Sequence, residues 1–239
     1  MSASIQDLAA AVRRRAVQAA LDEPSVTGSD WRQATVDTVQ TTTVTTTDGI
    51  IARRMEAYAR PAAGDLIAIT SASSGSWLAW GRLADSAVAI GETVAARKAA
   101  STSRASTTTL AADPHLSVTV SPGTYKLDAF LMYDGDAAAD LKLSWAPPAG
   151  TTGAWWPGGA DSSVAAQASL PRWGALSDIG ASSLPVGAIG AGTIVACRPV
   201  GTVVVTTAGT LALTWAQNTA STTPTVLRGQ STLEMLRIA

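Results

Sequence analysis

The sequence is poor in the residues that usually carry chemistry. It has one cysteine, Cys197, and one histidine, His115, in 239 residues. A single cysteine excludes an intrachain disulfide, so packing and neighbouring subunits must hold the body. A single histidine excludes a metal cluster or catalytic triad that needs two. No G-x-S-x-G motif is present to build a nucleophile elbow. Only 15% of residues are charged and the net charge is −1. Without a broad basic field, nucleic acid is not an expected partner. No run of about 18 apolar residues exists, so no membrane span is expected. The Arg13-Arg14-Arg15 cluster follows the Ala-rich stretch and does not precede it, so no secretory leader is expected.

What is abundant is small and β-prone. Hydrophobic residues reach 46%, mostly Ala and Val, with 8 Trp and a single Phe. That apolar content offsets the entropy of ordering the chain and argues against disorder. Val and Thr fit a pleated, half-buried surface, so the expected fold class is mainly β.

Four segments are expected. Residues 1–30 contain a helix over 4–22, capped by Ser4 and ended by Pro24. Ile5, Leu8 and Val12 form a narrow stripe that must dock on its own domain, on a copy or on another protein. Residues 31–84 hold five short strands, with Asp48-Gly49 as a hairpin turn. Such a set points to a small closed barrel. Residues 85–110 read as an Ala/Ser/Thr linker, of which 93–97 can add an edge strand to the next domain. Residues 111–239 hold about eight strands with Pro/Gly turns, which fits a sandwich or jelly roll. The Gly-rich stretch 150–192, with Trp155, Trp156 and Trp173, reads as a long excursion outside the core strands.

Two resemblances rest on these residues. In 34–84, Pro61-x-x-Gly64-Asp65 precedes one strand. Gly75-Ser76-Trp77 precedes another that ends in Gly81-Arg82-Leu83. This order resembles the OB-like barrels of phage tail and baseplate proteins. In the last segment the carrying residues are Asp113-x-x-Leu116, Tyr125 to Tyr133 with Asp134-Gly135, and Asp140 to Leu143. Leu213-x-Trp215-Ala216-Gln217 and Gly229-x-Ser231-x-Leu233 complete the set. They resemble the C-terminal jelly-roll-like β-sandwich of minor tail and appendage proteins from actinobacteriophages. The resemblance implies a virion structural protein (minor tail protein, tail fibre or appendage, or head spike) that meets other virion proteins and forms a homo-oligomer, with a trimer favoured. It implies no enzyme activity and no cofactor.

The remaining candidates are few. Cys197, in an apolar run, reads as a small buried hydrophobe. His115, after Asp113-Pro114, reads as a turn histidine. Arg53, Arg54 and Arg60 read as a solvated or subunit-facing edge. Asp134, Asp136 and Asp140 read as turn carboxylates. Their other readings are Ca²⁺ ligation, which lacks the EF-hand glutamate, or a hydrolase carboxylate pair. Trp77, Trp80, Trp145 and Trp215 are expected in core or barrel strands. Trp155, Trp156 and Trp173 either cap the open end of the sandwich or form an exposed contact for a subunit or a host glycan. A carbohydrate-binding tip is therefore the alternative function, and a cell-wall or capsule depolymerase a more distant one.

Overall fold

The computed structural model describes residues 11–16, 30–72, 74–84, 87–162 and 176–239. The chain divides into two compact units, residues 1–85 and 86–239.

In the first unit residues 11–16 are helical. Five strands come next: β1 (Asp30–Val39), β2 (Thr43–Thr46), β3 (Ile51–Arg54), β4 (Leu66–Ser71) and β5 (Trp77–Arg82). They close into a barrel in the order β1-β2-β3-β5-β4, with β4 back on β1. All pairs are antiparallel except β3 with β5. The expected Asp48-Gly49 turn joins β2 to β3. Gly49 takes a positive φ of 83°, which an L side chain resists, and Thr46 donates its hydroxyl to the Asp48 carboxylate. Alternation sends Ala34, Val36, Val44, Ala52, Ile67, Ile69 and Ala79 inward. Three of those seven are alanines, so the barrel interior is narrow.

A polar clamp supports that small core. Arg82 on β5 grips Asp65 with two hydrogen bonds of 2.8 Å. Asp65 also accepts from the Tyr58 hydroxyl at 2.6 Å and from the Ala62 N–H at 2.8 Å. The two sequence pieces Pro61-x-x-Gly64-Asp65 and Gly81-Arg82-Leu83 are therefore partners in space. Burial pushes the Asp65 carboxyl up, but Arg82, Tyr58 and the Ala62 N–H outweigh it and hold it below its usual range.

The second unit begins with β6 (Thr93–Arg97), β7 (Thr102–Arg104), β8 (Ala111–Val120), β9 (Gly123–Gly135), β10 (Leu141–Ala146), β11 (Thr152–Trp156) and β12 (Ser177–Asp178). It continues with β13 (Leu184–Val186), β14 (Gly190–Cys197), β15 (Val200–Val205), β16 (Gly209–Gln217), β17 (Thr225–Leu227) and β18 (Thr232–Arg237). One sheet has four strands in the order β13-β10-β16-β8, and the other strands form a nine-stranded sheet. The 13-residue β9 is the spine of the larger sheet. It pairs with β14 and β15 and also with β17 and β18. Cys197 lies opposite Leu131 and Val200 opposite Asp128, so β14 and β15 keep one register across Arg198-Pro199. Pro199 lacks the N–H a continuous ladder needs, and the strand is broken there. Both sheets feed one core, built from Leu116, Val118, Leu127, Leu131, Leu143, Leu213 and Trp215 among others.

Two expectations need correction. The stretch 85–110 is not a linker. As anticipated for 93–97, β6 pairs with β18, but β7 also pairs with β17. Lys98, just past β6, is fully buried. Nor are the described residues 150–162 and 176–192 an excursion. β11 and β12 join the large sheet, and β13 joins the small one. Strands of only two to five residues hid this contribution. Gly153 lies so close to the β15 backbone that an added Cβ would sit 2.2 Å from the Thr202 carbonyl, so glycine there marks a tight strand contact and not a loop.

Asp65 has a folded pKa below its unfolded one, so its stabilisation is present above about pH 4. It is lost as the pH falls through the folded value. Asp65→Asn should lower barrel stability at pH 7 by roughly 1–3 kcal/mol and flatten the loss of stability on acidification. Urea unfolding of both proteins at pH 7 and pH 3 tests this; equal midpoints at pH 7 would refute the clamp.

Candidate functional site

The acidic residues at the end of β9 and just beyond it are occupied in holding the second unit together. Arg228 binds Asp134 through two hydrogen bonds of 3.0 and 2.6 Å, and the Gly192 N–H donates to the same carboxylate. Asp136 accepts from the Ala138 N–H and then from the Ser221 hydroxyl, and these bonds hold it below the usual carboxyl range. Asp140 is raised by burial, although the Ala188 N–H bonds its Oδ1 at 2.9 Å. Among the described residues no three His, Cys, Asp or Glu side chains group in a way that could hold a metal. Cys197 is buried, and burial alone pushes its thiol far up, so it is a poor nucleophile. No helix among the described residues is long and apolar enough to cross a membrane.

The tryptophans divide differently from their sequence grouping. Trp155 is 0% exposed and meets Trp145 edge-on, with ring centroids 5.9 Å apart. It presents no face for a receptor or subunit, so its contact reading is corrected to a core role. The reason is its place on β11, paired on both sides by β12 and β15. Trp156 is half-buried, and Trp173 lies outside the described residues. In the first unit Trp77 packs against the barrel core, with the Arg32 guanidinium 5.3 Å from its ring centroid. Trp80 is 52% exposed, because buried Ala79 takes the inward position beside it. Of the helical stripe, Val12 is 61% exposed, and Ile5 and Leu8 lie outside the described residues.

The barrel's outer wall carries the strongest candidate surface. Trp31 on β1 is 61% exposed and stands opposite Thr70 on β4. On the other side of Thr70, the Trp80 Nε1–H donates to its hydroxyl at 3.0 Å. Two exposed indoles thus bracket one hydroxyl across β1, β4 and β5, with Leu66 exposed on the same wall. A groove of about 600 Å³ lies on the barrel, lined by Ile51, Arg53, Ser71, Trp77 and Leu78. The sequence signal for Trp31 is its alternation with Ala34 and Val36, which parity places on the outer wall. In the second unit a smaller groove of about 380 Å³ lies on the large sheet around Phe130, Glu234 and the exposed Arg198–Asp128 pair. The barrel groove thus offers aromatic faces and hydroxyls, and the second groove adds the carboxylates of Asp128 and Glu234, opposite each other on β9 and β18, beside Arg198.

Trp155→Ala should cost about 3–5 kcal/mol in denaturant unfolding. Trp80→Ala should stay within about 0.5 kcal/mol of wild type. The reverse ranking would return Trp155 to the surface.

Set against known proteins, the chain matches no family model, no curated protein and no solved structure.

Proposed function

We propose that this chain is a non-enzymatic structural protein of a bacteriophage particle: a minor tail protein, tail appendage or head spike. In this reading the first unit is an OB-like barrel, supported by its closed order β1-β2-β3-β5-β4 with the single parallel pair β3/β5. The second unit is a jelly-roll-like sandwich, supported by two antiparallel sheets that share one core. The N-terminal helix with Ile5, Leu8 and Val12 is the assembly element, and the partners are other virion proteins and further copies of the chain, in a trimer.

One contrast carries the proposal. The buried carboxylates are tied to cations or backbone donors, whereas large apolar side chains stay exposed on sheet surfaces. Side chains already committed to internal bonds are not free for turnover. Exposed Trp, Leu and Ile on rigid strands favour contact with another macromolecule. The weakly charged, hydroxyl-rich surface costs little to desolvate in a permanent assembly.

The Trp31–Thr70–Trp80 arrangement specifically favours a second reading, a host-glycan contact. Indole faces stack on pyranose rings, and a hydroxyl between them can hydrogen-bond one.

In light scattering the full chain should have the mass of three 24.3 kDa chains at micromolar concentration. A monomer at every concentration would overturn the self-assembly reading, and release of product from cell-wall or capsule polysaccharide would overturn the non-enzymatic one. On a glycan array, binding by wild type that is lost in Trp80→Ala would establish the second reading. No glycan bound by either protein would remove it.

A further inference from the structure

One ion pair of the second unit plays no part in the proposed contacts. Lys98 and Asp113 both have side chains that are 0% exposed, with Nζ and Oδ2 2.5 Å apart. Lys98 follows β6 of the nine-stranded sheet, and Asp113 lies on β8 of the four-stranded sheet. The two carboxylate oxygens are held by different donors. Oδ1 accepts from the backbone N–H groups of His115 at 2.9 Å and Leu116 at 3.1 Å. Oδ2 accepts from Lys98, from Trp215 Nε1 at 3.1 Å and from the Thr102 hydroxyl at 3.4 Å. The backbone fixes Lys98 as well: its N–H donates to the Ser231 carbonyl and its carbonyl accepts from the Gln230 N–H.

We infer that Lys98 and Asp113 condense into an intramolecular isopeptide bond that covalently joins the two sheets. The amine is already in contact with the carboxyl group, in the dry, prealigned arrangement that makes an intramolecular step fast. Nζ passes one proton to Oδ2, and its freed lone pair attacks Cγ. Charge collects on Oδ1, where the His115 and Leu116 N–H groups stabilise it as two oxyanion donors would. A second Nζ proton then leaves with Oδ2 as water. The Nζ–Cγ bond forms and the Cγ–Oδ2 bond breaks; nothing is oxidised or reduced, and no co-reactant is needed. The product amide keeps Oδ1 on its two donors and one N–H on the nitrogen. Two buried charges, each costly to desolvate, become one neutral group. Burial pushes the Asp113 carboxyl up, but Lys98 and the His115 N–H outweigh it and hold it below its usual range, so protonation of Oδ2 is the first barrier.

Mass spectrometry of the full wild-type chain under denaturing conditions tests this directly. The intact mass should be lower than the sequence mass by one water. Trypsin should fail to cut after Lys98 and release residues 98–104 joined to residues 105–126 as one branched peptide. Lys98→Arg and Asp113→Ala should both restore the full mass. Wild-type chain at its full sequence mass would overturn the inference. So would a water loss with the two peptides separate, since dehydration at Asp48-Gly49 or Asp134-Gly135 would leave them unjoined.

Discussion

The second unit is organised around a single buried carboxylate. Asp113 collects Lys98 from beside one sheet, Trp215 from the other, and two N–H groups from its own strand entrance. An isolated ion in that position would be prohibitively costly, so every donor around it is structurally required. The edge strands depend on the same cluster. Arg104 on β7 stacks over the Trp215 ring at 4.1 Å and donates to the Ala111 and Ala112 carbonyls of β8. Residues 93–104 are thereby fixed to the second unit.

The device recurs in both units. In the barrel, Asp65 receives Arg82 from the neighbouring strand β5 and an N–H from its own turn. At the end of β9, Asp134 receives Arg228 and the Gly192 N–H. Each case pairs an aspartate near a strand end with a cation from another segment and a backbone donor. The barrel core, in which five of the eight buried residues are Ala or Val, buries less apolar area per residue than the Leu- and Trp-rich core of the second unit, so it gains less from that area. Directional clamps at strand ends fix register where bulk packing specifies it weakly. The large rings, Trp145, Trp155 and Trp215, sit where the second unit's two sheets need volume.

Much of this architecture is legible in the sequence, and the misses share a cause. Alternation exposes the barrel strands and their turn at Asp48-Gly49, and the long Tyr125 to Tyr133 strand. It fails at β11 to β13, which are only two to five residues long and include Gly153 and Pro185, because so short a stretch shows no period. Lys98 escapes notice for the opposite reason. Strand parity through Val94 and Ala96 points position 98 inward, but a lysine reads as surface until its aspartate partner is known. Residue type assigns Trp80 to the core, yet Ala79 already takes the inward place. At the candidate surface, Trp31 and Trp80 lie far apart in sequence, and only the register of β1 on β4 brings them to one hydroxyl.

The division of labour between the charged and the aromatic residues argues for a protein of contact. The buried carboxylates Asp65, Asp113 and Asp134 each accept a cation, Asp140 is held by the Ala188 N–H, and the thiol of Cys197 is sealed in the core. What the rigid strands hold outward is instead indole, aliphatic and hydroxyl surface. Such groups gain affinity by excluding water against a partner, and they do so best when the backbone beneath them does not move. A narrow barrel and a clamped pair of sheets provide that backbone.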